Sequence, residues 1–91
     1  MSDVAVQVRV VGHVQGVGFR WSCQQAAERL CVAGWVRNEP DDSVAGHFEG
    51  TAGAVDALVA WCRSGSSGAD VDRVDVDEAE PSGTSGFEIR S

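Results

Sequence analysis

The sequence predicts an α+β domain in which two helices cover one face of an antiparallel sheet. Three observations predict it. The hydrophobic period switches repeatedly between two residues and about 3.6. The switches fall in the order strand, helix, strand, strand, helix, strand, with a short extra strand at the end. Neither an internal repeat nor a low-complexity linker interrupts that order. Such an order is the split βαββαβ sandwich of ferredoxin-like folds, here with a short fifth C-terminal strand. The architecture hosts many unrelated activities, so function must be sought in particular residues.

Each element has its own signal. Val4, Val6, Val8 and Val10 alternate with mostly polar neighbours, as in a strand with one buried face. A glycine-punctuated stretch from Gly12 to Gly18 follows. Cys23, Ala26, Ala27, Leu30 and Cys31 then recur at helical spacing, which predicts a helix from about Arg20 to Val32. Gly34 is expected to end that helix at C′. Trp35 to Asn38 reads as a second strand, Glu39-Pro40-Asp41-Asp42 as a turn, and Val44 to Glu49 as a third strand. Thr51 is expected to cap a second helix that buries Val55, Leu58, Trp61 and Cys62, and Ser64 to Gly68 stops it. Val71 to Asp77 alternates as a fourth strand, with its aspartates on a solvated face rather than around a metal. Phe87 to Arg90 forms the final strand after the turn-rich stretch from Pro81 to Gly86.

The 91 residues make one domain, 1–91, with one modest core. No run of about 18 apolar residues suggests a membrane span. The opening Met-Ser-Asp-Val lacks a basic segment followed by an apolar one, so no secretory signal is expected and a cytoplasmic location is. Cys23, Cys31 and Cys62 form neither a C-x-x-C nor a zinc pattern and are expected to be reduced core residues. The formal charge is −7 and there is no lysine. Nucleic-acid binding leaves a basic footprint, so that balance argues against it. The expected partner is a small molecule, with no nucleic acid, membrane, metal or cofactor involved, and the expected state is a monomer.

The segment with chemical content is Gly12 to Arg20, Gly-His-Val-Gln-Gly-Val-Gly-Phe-Arg, between a strand and a helix start. Glycines let the backbone turn its N–H groups inward. The helix N-terminus adds unsatisfied donors and partial positive charge. Arg20 adds a permanent, forked cation suited to phosphate oxygens. These features describe an anion cradle, and they equally describe a tight connection.

The order of residues separates the two readings. Gly12-x-Val14-Gln15-Gly16-Val17-Gly18-Phe19-Arg20 resembles the acylphosphatase signature along its whole length. Gly34-Trp35-Val36-Arg37-Asn38 is similar to that family's G-W-V-x-N segment, and Phe87-Glu88-Ile89-Arg90 to its closing strand. The resemblance spans essentially the full chain. It implies that Arg20 binds the phosphoryl group, that the backbone N–H groups of Val14, Gln15, Gly16, Val17, Gly18 and Phe19 ring it, and that Asn38 holds the attacking water. Val17 and Phe19 are expected to fix the loop by packing. The chain departs from the family at Asp41-Asp42-Ser43, where Asp-Gly is common, and at Gly65 to Gly68, where Gly-Pro is common. Val32-Ala33 stands where leucine is common. None of these departures touches Arg20 or Asn38.

The implied activity is metal-free hydrolysis of the carboxyl–phosphate bond of an acyl phosphate. The leaving carboxylate has a conjugate-acid pKa of roughly 4 and departs unprotonated, so no general acid is needed. Preorganised donors and a placed water suffice. His13 beside the loop and His47 in the third strand are read as non-catalytic, with a modest pH effect of His13 as the alternative. A non-catalytic ferredoxin-like ligand- or RNA-binding module is the competing reading. It calls for exposed aromatics and basic residues on the central strands. The first strand offers only Gln7 and Arg9 on its polar face.

Overall fold

The computed structural model describes residues 3–90. Its elements are β1 (Val4–His13), α1 (Phe19–Leu30), β2 (Ala33–Asn38), β3 (Val44–Gly50), α2 (Ala52–Ser64), β4 (Asp70–Ala79) and β5 (Phe87–Arg90). The strands form one sheet in the order β4-β1-β3-β2-β5. β1 pairs antiparallel with β3 and with β4, and β2 pairs antiparallel with β3. The βαββαβ order is therefore the one expected. β5 joins parallel to β2, with Phe87 opposite Gly34, so the sheet is mixed. Topology requires this. A chain that leaves β4 at one edge and crosses the end of the sheet must re-enter at the far edge in the direction of β2.

The core lies between the sheet and the two helices. Val8, Val10, Val36, Val44 and Phe48 from the strands meet Phe19, Cys23, Ala27, Val55, Leu58 and Cys62 from the helices. Phe48 packs on Phe87 at 6.0 Å between centroids, which brings the edge strand into the core. The alternation of β1 fades at its start: Val8 and Val10 are buried, whereas Val4 is exposed. No described helix is long and apolar enough to cross a membrane.

Two expectations about α1 need correction. The helix ends at Leu30, and Cys31 closes it in the left-handed region at φ 59°. The N–H groups of Cys31 and Val32 donate to the carbonyls of Glu28 and Ala27, the usual way of satisfying a helix end. Cys31 is therefore exposed rather than a core residue, while Cys23 and Cys62 are buried as expected. The neighbouring Cys62, together with burial, pushes the Cys23 thiol far above its ordinary range. Gly34 does not end the helix but lies inside β2 at φ 140°. A Cβ there would stand 1.7 Å from the carbonyl oxygen of His47, so close strand contact demands glycine.

The second helix follows expectation. Thr51 Oγ1 accepts the N–H of Ala54 as an N-cap, and Val55, Leu58 and Cys62 are buried, with Trp61 half-buried. The Asp41-Asp42-Ser43 turn makes up for its missing glycine. Asp42 takes the left-handed conformation at φ 72°, which aspartate tolerates better than most residues. The Asp41 carboxylate accepts the N–H and hydroxyl of Ser43, and Arg9 lies 3.1 Å away. Those bonds to Ser43, with Arg9 beside them, hold the Asp41 carboxyl below its usual range.

Glu49, at the end of β3, fastens the crossing from β4 to β5. Its buried carboxylate accepts the N–H groups of Ser82 and Gly83 and the Ser82 hydroxyl, while His47 Nε2 lies 3.4 Å away. Burial alone would raise this carboxyl, but the bonds from Ser82 and Gly83 outweigh it and hold it below the ordinary value. A depressed carboxyl adds stability above its unfolded value of about 4.3 and loses it as pH falls through the folded one. Glu49→Gln is therefore expected to be less stable than the parent at neutral pH. In urea titrations the difference should shrink below about pH 4. A difference that persisted unchanged into acid would rule out the ionised carboxylate as its source.

Candidate active site

The loop between β1 and α1 is held at both ends by buried side chains. Val14 and Phe19 are each 1% exposed, and Phe19 packs on Trp61 at 5.3 Å. Gly16 and Gly18 lie between them at φ 75° and 73°. A Cβ at either would meet nothing within 4 Å, so the left-handed backbone and not lack of space calls for glycine. Gly18 is the N-cap of α1 and offers no side chain to the helix donors. The first helical bond runs from Ser22 N–H to the Gly18 carbonyl. Among the described residues, nothing accepts the N–H groups of residues 15–19. Free donors at a helix start carry partial positive charge and suit an anion.

Neighbouring segments brace the loop on both flanks. Gln15 Nε2 donates to the carbonyls of Glu39 and Ser43, at 2.9 Å each, and so ties the loop to the β2–β3 turn. The Val17 carbonyl accepts the Ser66 hydroxyl from the connection after α2, at 3.2 Å.

Arg20 projects from the first turn of α1. Its guanidinium donates to the carbonyl of Arg90 in β5 at 3.1 Å and forms no ion pair with a carboxylate among the described residues. Asn38 is the last residue of β2, and its Oδ1 is buried with no partner among the described residues. A buried acceptor left unpaired costs stability and calls for an explanation. Arg20 and Asn38 line one cavity of about 170 Å³ together with Val14, Gly16, Gly18 and Phe19. Six of the eight sequence-predicted site residues thus meet at one place. Gln15 and Val17 stand in the loop but do not line the cavity.

Sequence reasoning missed three contributors. Trp21 and Ile89 complete the cavity wall, and the Arg90 carbonyl steadies Arg20. An aromatic beside Arg20 at a non-core helical position was a readable signal for Trp21. The part of β5 depends on a parallel pairing that no local pattern encodes. His13 is exposed at the end of β1, outside the cavity wall. His47 is buried and stacks on Trp35, again outside it.

A second concavity, about 360 Å³, lies on the open face of the sheet. Arg9, Arg37, Asp75 and Asp77 line it, so charges of both signs oppose each other there. No group of three or more His, Cys, Asp or Glu side chains gathers at metal-binding distance among the described residues. The cavity beside the loop is lined by one cation, Arg20, and by Asn38, whose Oδ1 has no partner among the described residues.

Comparison with known proteins places this geometry in a family. Residues 6–89 match the family model described as Acylphosphatase. The chain is 52% identical over 86 residues to an acylphosphatase from Nocardioides sp., covering 94% of this chain and 87% of that protein. It is 46% identical over 89 residues to an acylphosphatase from Thermococcus kodakarensis, covering 98% of each. The crystal structure of acylphosphatase from Bacillus subtilis superposes with a TM-score of 0.94 at 34% identity, covering 97% of this chain and 99% of that one. The cradle of free N–H groups, Arg20 and Asn38 thus stands in a chain that belongs to the acylphosphatase family.

Proposed function

We propose that this chain hydrolyses acyl phosphates to a carboxylate and inorganic phosphate, using Arg20, the loop N–H groups and Asn38 without a metal. The observation that carries the mechanism is the convergence on one cavity of a buried Asn38 Oδ1 and an Arg20 guanidinium that have, among the described residues, no hydrogen-bond partner and no carboxylate partner respectively. The guanidinium and the N–H groups take the equatorial oxygens of the phosphoryl group and stabilise their growing charge. Asn38 Oδ1 accepts a hydrogen bond from a water and so aims its oxygen at phosphorus. The new P–O bond forms as the bond to the acyl oxygen breaks, and that electron pair leaves on the carboxylate. Both protons of the water stay with the phosphate product, which leaves as dihydrogen phosphate. Asparagine is not a base at neutral pH, and none is required, because a loose phosphoryl-transfer transition state has formed little bond to the water when the stable carboxylate departs.

Activity on benzoyl phosphate is expected to survive excess EDTA, and inorganic phosphate is expected to inhibit competitively by occupying the cradle. A strict requirement for added magnesium or zinc would sink this reading. We further propose a cytoplasmic monomer without nucleic-acid or membrane partners. The formal charge of −7 supports the first exclusion. On the open sheet face, moreover, Trp35 is covered by Arg37 and Arg90 of the same chain, at 5.0 and 4.8 Å, and is not free for a base to stack upon.

A further inference from the structure

A phosphate cradle explains only part of the cavity wall. The remainder is apolar and exposed. Four large apolar side chains are exposed among the described residues: Val4, Trp21, Val76 and Ile89. Two of them, Trp21 at 63% and Ile89 at 38%, line the same 170 Å³ cavity as Arg20 and Asn38. An exposed tryptophan forgoes the burial that its large apolar surface favours. Nothing in the fold requires one here, because the buried face of α1 is already made by Phe19, Cys23, Ala26 and Ala27.

Both side chains adjoin the phosphate-binding cation. Trp21 follows Arg20 in α1, and Ile89 precedes Arg90, whose carbonyl receives the Arg20 guanidinium. The acyl carbon of an acyl phosphate is one bond from the bridging oxygen, so its substituent falls beside whatever flanks the phosphoryl site. Charge narrows the choice further. Arg20 is the one charged residue among those that line the cavity. The Arg90 guanidinium is turned to the opposite face of the sheet, over Trp35 and toward Glu88. An acyl group bearing a second anionic centre finds no second cation in that wall.

We propose that Trp21 and Ile89 form an apolar shelf that selects the acyl half of the substrate. The shelf favours uncharged acyl groups with a flat or bulky apolar substituent, aromatic acyl phosphates above all, over small ones such as acetyl. The proposal rests on reading the cavity as an acyl phosphate site. It goes beyond that reading because the phosphate machinery is indifferent to the acyl group.

The test compares kcat/KM for benzoyl phosphate and acetyl phosphate, measured in parallel on the parent, Trp21→Ala and Trp21→Phe. The ratio of the two values cancels any general loss of folded protein. In Trp21→Ala the benzoyl-to-acetyl ratio is expected to fall about tenfold, the discrimination that an apolar contact surface of this size supplies. Trp21→Phe should recover most of it by restoring an aromatic face. An unchanged ratio in Trp21→Ala, whether both substrates lose alike or neither does, overturns the shelf and leaves the phosphate site standing. A parent inactive on both substrates overturns the activity itself and the shelf with it.

Discussion

Arg20→Ala is expected to lower kcat/KM for benzoyl phosphate on the order of 10³-fold, the low end of what a phosphoryl-stabilising arginine supplies. The loss should appear in both KM and kcat, because in the proposed mechanism the guanidinium meets the phosphoryl oxygens in the ground state and their growing charge in the transition state. The fold should not suffer to match. Arg20 is half-buried and donates one hydrogen bond, to an exposed carbonyl, so its removal breaks no ion pair among the described residues. Relieving a cluster of inward donors of an adjacent cation should leave the variant as stable as the parent or slightly more so. Phosphate should raise the Tm of the parent and much less that of the variant, since a ligand stabilises only as far as it binds the native state. Equal phosphate-induced shifts in the two proteins would refute the assignment of Arg20.

Asn38→Ala should separate from that pattern. Its kcat is expected to fall by roughly 10²–10³-fold, as when one preorganised polar group is removed from a reacting centre. The inhibition constant of inorganic phosphate should stay close to that of the parent, because the cradle and Arg20 remain. Deleting an acceptor that has no partner among the described residues strands no donor among them, so the melting temperature should hold or rise. A variant with near-normal turnover would move the water-positioning role to another group. A variant that lost phosphate binding together with turnover would make Asn38 a part of the cradle.

Much of this site was legible because its parts are local. A glycine-rich run between a strand and a helix and an arginine one step into that helix are adjacent in sequence. So are the residues of β2 that end on Asn38. The Thr51 cap was readable for the same reason, whereas the expected alternation of β4 fails: the register shifts opposite Val11 and Gly12, and Val76 is exposed. What escaped depends on partners far along the chain. Gly34 was read as a helix terminator, since glycine is common there, but its real constraint is the His47 carbonyl across the strand pair. The helix closed instead on Cys31, a residue type seldom chosen for the left-handed region. The parallel docking of β5, and with it the Arg90 carbonyl under Arg20, joins residues 70 positions apart. Gln15 lies in the signature yet turns its side chain from the cavity, because the two carbonyls that claim it belong to a turn more than twenty residues onward.

The long fourth strand has a bearing on how copies of this protein behave toward one another. β4 is an outer strand of the sheet, ten residues long, and its far side offers unpaired backbone donors and acceptors to any passing strand. Asp70, Asp72, Asp75, Asp77 and Glu78 are all exposed along it. Two such edges approaching each other would bring these carboxylates together, and like charges directly opposite each other repel. The acidity that says little about catalysis therefore guards against edge-to-edge aggregation.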